Sequence, residues 1–313
     1  MALKIVRAED PIKVERLNVV IYGPPGIGKS SVAFTADAPI LLDFDNGAHR
    51  AANRKDSVRV SDWTDVAGIA ADDLAPFKTV IVDTAGRALD ALTIDIIRDN
   101  PKHGGKGGAL SLQGYGALKA RFTAFLKLLN SFGKDVVLIA HMDEQRNGDE
   151  VIERLDVQGG SKGEIYKAAD AMGRIVIQGG QRKLLFSPTD AAFGKNPGQL
   201  APLDVPHFTA PEFAGFLGGV IQTTKDRLNA LSEDQKAAMD EQEWFRKALP
   251  GVSDAEGVNA LTGRAKASGK VASGMLHQRA TELSLTFDKA KGEYIGAKSA
   301  TFKPDTVAAG ALG

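Results

Sequence analysis

An apolar run, Leu17-Asn18-Val19-Val20-Ile21-Tyr22, passes directly into Gly23-Pro24-Pro25-Gly26-Ile27-Gly28-Lys29-Ser30-Ser31, and a helix-compatible stretch, SSVAFTA, follows. The loop fits the spacing G-x-x-x-x-G-K-[ST], with strand, glycine loop and helix in the order that spacing requires. Glycines let backbone N–H groups turn inward around phosphates, Lys29 neutralises β and γ oxygens, and the Ser30 hydroxyl can ligate Mg²⁺. Few other features constrain a chain so strongly, because the loop works only between a buried strand and a helix packed on it.

The remaining apolar runs agree with this. Pro39 to Asp43, Thr79 to Asp83, Asp135 to Ala140, Arg174 to Gln178 and Lys183 to Ser187 are rich in Val, Ile and Leu and do not alternate, as expected of strands buried on both faces. Leu118, Phe122, Phe125, Leu126, Leu129 and Phe132 fall at helical intervals between two of them. The reading is α/β, with a mostly parallel, doubly wound sheet. After about Gly219 the composition shifts: from Thr223 to Leu285 Ala, Leu, Lys, Glu and Gln dominate, and Pro250-Gly251 divides two helical stretches. The expected organisation is a core at 1–218, a small helical module at 219–295 and a disordered tail at 296–313. Thr286 to Ile295 reads either as a short hairpin or as a fraying end.

Composition then removes several chemistries. The 313 residues include no Cys, which excludes disulfides, thiolate catalysis, zinc fingers and iron–sulfur ligation. With 39 Lys+Arg against 39 Asp+Glu, a uniformly basic coat is excluded, though a local basic patch is not. No run of about 20 apolar residues occurs, and the N-terminus offers no apolar signal core. The expectation is therefore no membrane association and a cytoplasmic location, the host cytoplasm if the chain is phage-encoded.

A second strand end completes the phosphate chemistry. Lys78-Thr79-Val80-Ile81-Val82-Asp83 is an apolar strand ending in a carboxylate, and Asp83 is placed to support Mg²⁺ through water, opposite Ser30. The following Thr84-Ala85-Gly86-Arg87 bears on classification. Asp83-Thr84-Ala85-Gly86-Arg87 resembles the motif of signal-recognition-particle GTPases, but no guanine-reading T-K-x-D motif occurs at a suitable spacing, which argues against GTP. Thr84 stands where AAA+ ATPases usually carry the water-activating Glu, which argues against that group although the GPPGIGKS loop looks like theirs. A small-molecule kinase is disfavoured because an Arg-rich lid is missing.

Two further strand ends carry polar groups. Ile40-Leu41-Leu42-Asp43-Phe44-Asp45-Asn46-Gly47 follows the glycine loop's helix, and in RecA-like ATPases the water-activating acid sits at this place. The resemblance puts Asp45 there, with Asp43 the fallback; either can equally be a strand-end cap. A carboxylate suits the task because it can orient a water for in-line attack. Asp135 to Ala140 ends in His141, which matches the RecA-like residue that senses the γ-phosphate, where that family often has Gln; a satisfied strand-end histidine is the other reading.

From Asn100 to Lys134 there are six Lys or Arg and no acid. Its first part, Asn100 to Gly108, is Gly-rich and reads as a mobile basic loop, whose Lys102 and Lys106 can follow a phosphate backbone, with Tyr115 shortly after to stack on a base. A solvated linker is the bland alternative. Met142 to Lys162, containing Arg146, Arg154 and Lys162, reads as a second long loop, and Arg146 and Lys162 are candidate DNA contacts. Gly257 to Thr281 has Arg264, Lys266, Lys270 and Arg279 without an acid, either a further DNA contact or an exposed helix face.

Taken in order, the loop at 23–30, the Asp83 motif, and the strand ends at Asp43/Asp45 and His141 make the chain resemble RecA-like phage nucleotide-binding proteins, most of all the Sak-type single-strand annealing proteins with a RecA core. The resemblance covers about residues 10 to 218. It implies an ATP- and Mg²⁺-using ATPase that binds single-stranded DNA and promotes annealing in phage recombination, with a phage single-strand-binding protein as partner and a homo-oligomer left open. It also implies a basic residue acting in trans, for which Arg182 and Lys183 at a turn before a strand are the candidates. The rival reading is a nucleotide-gated protein-binding accessory factor of phage replication or packaging without DNA affinity of its own.

Overall fold

The structure, a computed structural model, describes residues 6–7, 10–147, 150–157 and 162–296, without the side chains of 146, 147, 150, 151 and 162. The tail expected at 296–313 lies, apart from Gly296, outside the described residues. In chain order the elements are β1 (Asn18–Gly23), α1 (Lys29–Ala33), β2 (Pro39–Asp43), β3 (Ser57–Arg59), α2 (Thr64–Ala67), β4 (Thr79–Asp83), α3 (Ala85–Asp99), α4 (Leu112–Ser131), β5 (Asp135–Asn147) and β6 (Glu150–Leu155). They continue with α5 (Lys162–Ala168), β7 (Ala171–Gln178), β8 (Gln181–Leu185), β9 (Leu203–Asp204), α6 (Phe216–Ala248), α7 (Ala255–Ala267), α8 (Lys270–Glu282), β10 (Thr286–Asp288) and β11 (Glu293–Ile295).

The chain divides into two compact units, one of Val14–Leu228 and the other of the residues before Val14 together with those from Asn229 on, the second boundary falling inside α6. In the first unit, Val14–Leu228, the strands run in the order β3-β2-β4-β5-β1-β7-β8-β9, with β6 paired to β5. Pairs from β3 through β7 are parallel, and β7/β8 and β8/β9 are antiparallel. This is the mixed, mostly parallel sheet of the RecA-like P-loop fold. Because successive side chains on a strand point to opposite faces, the continuous apolar runs feed two cores. Val20, Tyr22, Leu42, Val80, Val82, Val136 and Leu138 pack with Leu89, Leu92 and Ile96 of α3 and Phe122 and Leu126 of α4. Val19, Ile21, Leu41, Ile81, Val137 and Ile139 pack with Val32 of α1 and Leu217 and Ile221 of α6.

Three parts of the sequence reading change. The helical module does not begin at 219: α6 starts at Phe216, and its first turns belong to the first unit because Leu217, Val220 and Ile221 are buried in the sheet's core. Residues 142–147 and 150–155 are strands rather than loop, since β5 continues past the sheet and pairs antiparallel with β6 from Met142↔Leu155 to Asn147↔Glu150. Residues 100–110 are also ordered, as single 3₁₀ turns at Pro101–His103 and Lys106–Gly108 closed by a Gly104↔Leu110 bridge.

The second unit holds the remainder of α6 with α7, α8 and the β10/β11 hairpin, registered Thr286↔Ile295. Phe245, Val252, Val258, Leu261, Ala272 and Leu276 form its core. Both arginines of its basic stretch are committed to structure. Arg264 pairs with Glu241 at 2.7 Å and stacks on Trp244 at 3.5 Å, and Arg279 pairs with Glu282 at 2.9 Å.

Asp135 ties the sheet to α6 within the first unit. Its carboxylate accepts from the Leu17 N–H at 2.8 Å and from the Lys225 ammonium at 2.6 Å. Both side chains are nearly buried, at 12% and 11% exposure, so neither charge can recover its water if the other is removed. Asp135→Ala is expected to lower stability by about 3–5 kcal/mol. Urea titration in a Trp244→Phe background, where the buried Trp63 alone fluoresces, measures it; a loss below about 1 kcal/mol would show that the pair is screened like a surface bridge.

Candidate functional site

The site lies where four parallel strands end side by side. β5 sits between β1 and β4, and the register pairs Gly23 with His141, Asp83 with Ile139, and Asp43 with Asp83. Residues separated by more than a hundred positions thus reach the carboxyl edge of one sheet, where ligands of open α/β sheets bind. A cavity of about 420 Å³ opens there, lined by Lys29, Ser30, Asp45, Arg50, Asp83 and His141 together with the glycine loop.

The loop depends on residues without side chains. Gly26 and Gly28 have φ of 76° and 96°, a region that L side chains rarely adopt. A Cβ on Gly28 would also lie 2.6 Å from the Arg182 guanidinium. Ser31 lines the cavity, and its hydroxyl accepts the Ala52 N–H at 2.9 Å, which pins the segment forming the opposite wall. Pro25 lines the cavity too, whereas the carbonyls of Pro24 and Ile27 serve the loop itself by accepting from Lys29 and Arg182.

Lys29 is 5% exposed and all three of its N–H groups have acceptors: the carbonyls of Gly23 and Pro24, each at 2.9 Å, and His141 Nδ1 at 3.3 Å. The last contact requires a neutral ring with its proton on Nε2. Burial, then the Lys29 charge, push the His141 pKa below its ordinary value, so the neutral ring is the form present near pH 7. Burial brings Lys29 down to about 8, with Asp83 and Asp45 opposing the shift. The Ser30 hydroxyl donates to Asp83 at 2.5 Å. Asp83 is pushed up to about 6, chiefly by burial and further by Asp43 and Asp45, with the Ser30 hydrogen bond opposing.

The structure separates the two candidate acids. Asp43 is 5% exposed and does not line the cavity; its carboxylate caps the following turn, accepting the N–H groups of Gly47 at 2.9 Å and Ala48 at 3.0 Å. Asp45 lines the cavity and stands 3.1 Å from Arg50 and 3.8 Å from Arg87. Sequence reasoning missed both arginines as site residues. Arg87 stood in view inside DTAGR, and Arg50 follows Asp45 by five residues, but only the fold shows that they converge on one carboxylate.

The other candidates lie elsewhere. Arg182, from β8, donates to the Ile27 carbonyl at 3.4 Å and the Pro206 carbonyl at 3.0 Å, so it rests on the glycine loop of its own chain, while Lys183 pairs with Asp204 at 2.6 Å. Lys102 and Lys106 are exposed on the 3₁₀ turns and make no ion pair among the described residues; Tyr115 is partly exposed on α4. Three of the other four cations of that window are engaged: Lys119 with Glu164, Arg121 with Asp95 and Asp99, and Lys134 with the Leu74 and Phe77 carbonyls, while Lys127 is exposed and makes no ion pair among the described residues. Arg146 lies in β5 and Lys162 opens α5, but both side chains fall outside the described residues.

Among the described residues no group of three or more His, Asp or Glu forms a metal cluster. The Ser30–Asp83 oxygen pair is instead a donor set of the kind Mg²⁺ accepts, few protein oxygens with the remaining positions left to water and phosphate. The cavity and the buried Lys29 fit a polyphosphate. Also among the described residues, no helix is long and apolar enough to cross a membrane.

The family described as AAA domain matches residues 15–197. No curated protein matches the sequence. Similar solved structures include the KaiC-like protein PH0186 from Pyrococcus horikoshii, at 9% identity over 54% of this chain and 77% of that one, with a TM-score of 0.34. A type III secretion system ATPase of pathogenic bacteria is similar at 12% identity over 51% and 52% of the two chains, with a TM-score of 0.34. The family match overturns the argument against an AAA assignment drawn from Thr84. The chain belongs to the AAA domain family, and its Val14–Leu228 unit is a nucleotide-binding ATPase domain with a RecA-like P-loop fold.

Proposed function

We propose that the chain hydrolyses ATP with Mg²⁺ and couples the nucleotide state to single-stranded DNA. The observation that carries the first half is the grouping of Lys29, the Ser30–Asp83 pair and Asp45 around one cavity. Ser30 and Asp83 would hold Mg²⁺, which when bound neutralises charge on the β and γ oxygens. Lys29 turns from its loop carbonyls to the phosphates. Asp45 orients a water and takes its proton as the water oxygen bonds to the γ-phosphorus and the bond to the bridging oxygen breaks, releasing ADP and phosphate. Arg50 and Arg87 set the position of the Asp45 carboxylate.

The DNA half rests on Lys102 and Lys106, cations without ion pairs among the described residues, in a stretch free of acids. Strand annealing in phage recombination, alongside a single-strand-binding protein, is the role that the resemblance to Sak-type proteins favours. A homo-oligomer fits that role as well.

Asp45→Asn should leave ATP binding within a few-fold of wild type and lower kcat by about 10²–10⁴. Lys29→Ala should abolish binding. Fluorescent-nucleotide titration and phosphate release distinguish the two, and an unchanged kcat in Asp45→Asn would remove Asp45 from the water-orienting role.

The buried lysine also predicts a pH effect. The charged form binds phosphate and its pKa in the free protein is about 8, so protonation is nearly complete at pH 7 and is lost as pH rises. ADP affinity without divalent metal should be flat up to about pH 8 and then fall by about tenfold per unit. Calorimetric titrations from pH 7 to 9.5 test it; a flat profile would show that Lys29 stays charged.

For DNA, anisotropy of a labelled oligo-dT strand should show salt-dependent binding that changes between ATP and ADP. Lys102→Ala with Lys106→Ala should weaken it and reduce the magnitude of the salt slope by about 1–2. No binding at low salt in any nucleotide state would overturn the DNA half and favour the protein-binding accessory reading.

A further inference from the structure

A second cavity lies away from the phosphate site, on the outer side of the helices that cover one face of the sheet. It measures about 410 Å³ and is lined by Leu89 of α3, by Leu112, Tyr115, Leu118 and Phe122 of α4, and by Glu164 of α5. Leu112 is 90% exposed, the most exposed of the large apolar side chains among the described residues. An apolar side chain presented so fully on a regular helix gains nothing for folding. Glu164 is the one acid on the groove, and Lys119 at 3.5 Å and Lys167 at 3.2 Å neutralise it.

The basic turns are fixed to the start of the same helix. The Ser111 N–H donates to the His103 carbonyl at 2.8 Å, and the Ser111 hydroxyl to the Lys102 carbonyl at 3.3 Å. A Cβ on Gly114 would lie 2.4 Å from that His103 carbonyl, so the close approach of turn and helix depends on glycine. Lys102 and Lys106 therefore belong to a short segment that ends immediately before Leu112, and the chain from residue 100 to 134 offers no acid to oppose them.

A single strand of nucleic acid alternates anionic phosphates with flat, largely apolar bases, and aromatic side chains beside cationic grooves bind it by stacking. A volume of about 410 Å³ is at the small end for ligand sites and suits one or two rings better than several turns of a helix. We infer that this groove receives an unstacked base of single-stranded DNA, with Tyr115 stacking on it, Leu112 closing over it, and the flanking phosphates against Lys102 and Lys106. This rests on the DNA reading above and adds to it where the base goes.

The test compares oligo-dT with an abasic strand of equal length, both labelled, binding to the full chain with Mg²⁺ and ATP. Wild type should prefer oligo-dT by about 5–100-fold, as one stacked base is worth. Leu112→Ser and Tyr115→Ala, each at an exposed position and checked by circular dichroism, should lose most of that preference while binding the abasic strand as wild type does. Tyr115→Phe should keep it. Equal binding of the two strands by wild type overturns the groove assignment and leaves the DNA reading standing. So does a preference that survives in both Leu112→Ser and Tyr115→Ala, which would leave the groove to a protein segment. Failure to bind either strand overturns the DNA reading itself.

Discussion

The buried ammonium of Lys29 is the constraint around which the first unit is arranged. A lysine so nearly out of water is tolerated only if every N–H finds an acceptor and opposite charge lies near. Two acceptors come from the loop's own carbonyls, which demands a tight turn and hence the left-handed glycines at 26 and 28. The third comes from His141, which demands that β5 lie directly beside β1. The opposite charge is Asp83, one strand further out. The strand order and the site are thus one arrangement: a sheet with β4 adjacent to β1 would separate Lys29 from its histidine.

That arrangement explains why so much of the unit was readable. Strands buried on both faces produce continuous runs of Val, Ile and Leu, and these marked β1, β2, β4, β7, β8 and the sheet-buried first half of β5 within a few residues. The glycine loop announced itself because its chemistry restricts both residue type and spacing. What escaped was structure whose sequence carries no such restriction. β3 and β9 have three and two residues and lie toward the edges of the sheet, too short for any period to emerge. The hairpin of β5 and β6 escaped for a different reason. Its strands leave the buried sheet, so Asp143-Glu144-Gln145-Arg146 no longer needs an apolar alternation, and the turn signal Asn147-Gly148-Asp149 was the one available mark.

Charge counts misled more than apolar runs did. The windows free of acids at 100–134 and 257–281 look like basic surfaces in sequence, yet the folded chain supplies counter-charges from elsewhere: Asp95 and Asp99 for Arg121, Glu164 for Lys119, Glu241 for Arg264. Pairing across elements is invisible to a count along the chain. Among the described residues Lys102 and Lys106, on the short turns before α4, are left without an ion pair, and their position there is what carries meaning.

Asp43 and Asp45 show the same principle at the level of single groups. Two identical side chains, separated by one residue at the end of one strand, look interchangeable in the sequence. Alternation along an extended chain does not separate them; the turn that follows does. Gly47 and Ala48 direct their N–H groups back at Asp43, one to each carboxylate oxygen, which makes it a buried internal cap. Among the described residues the Asp45 carboxylate pairs with the guanidinium groups of Arg50 and Arg87, whose side chains are 65% and 63% exposed. Pairs of that kind are worth about 0–1 kcal/mol, so the carboxylate is oriented without being consumed. Chemical availability therefore follows from which backbone amides reach a group, and that is settled only when the turn after β2 has formed.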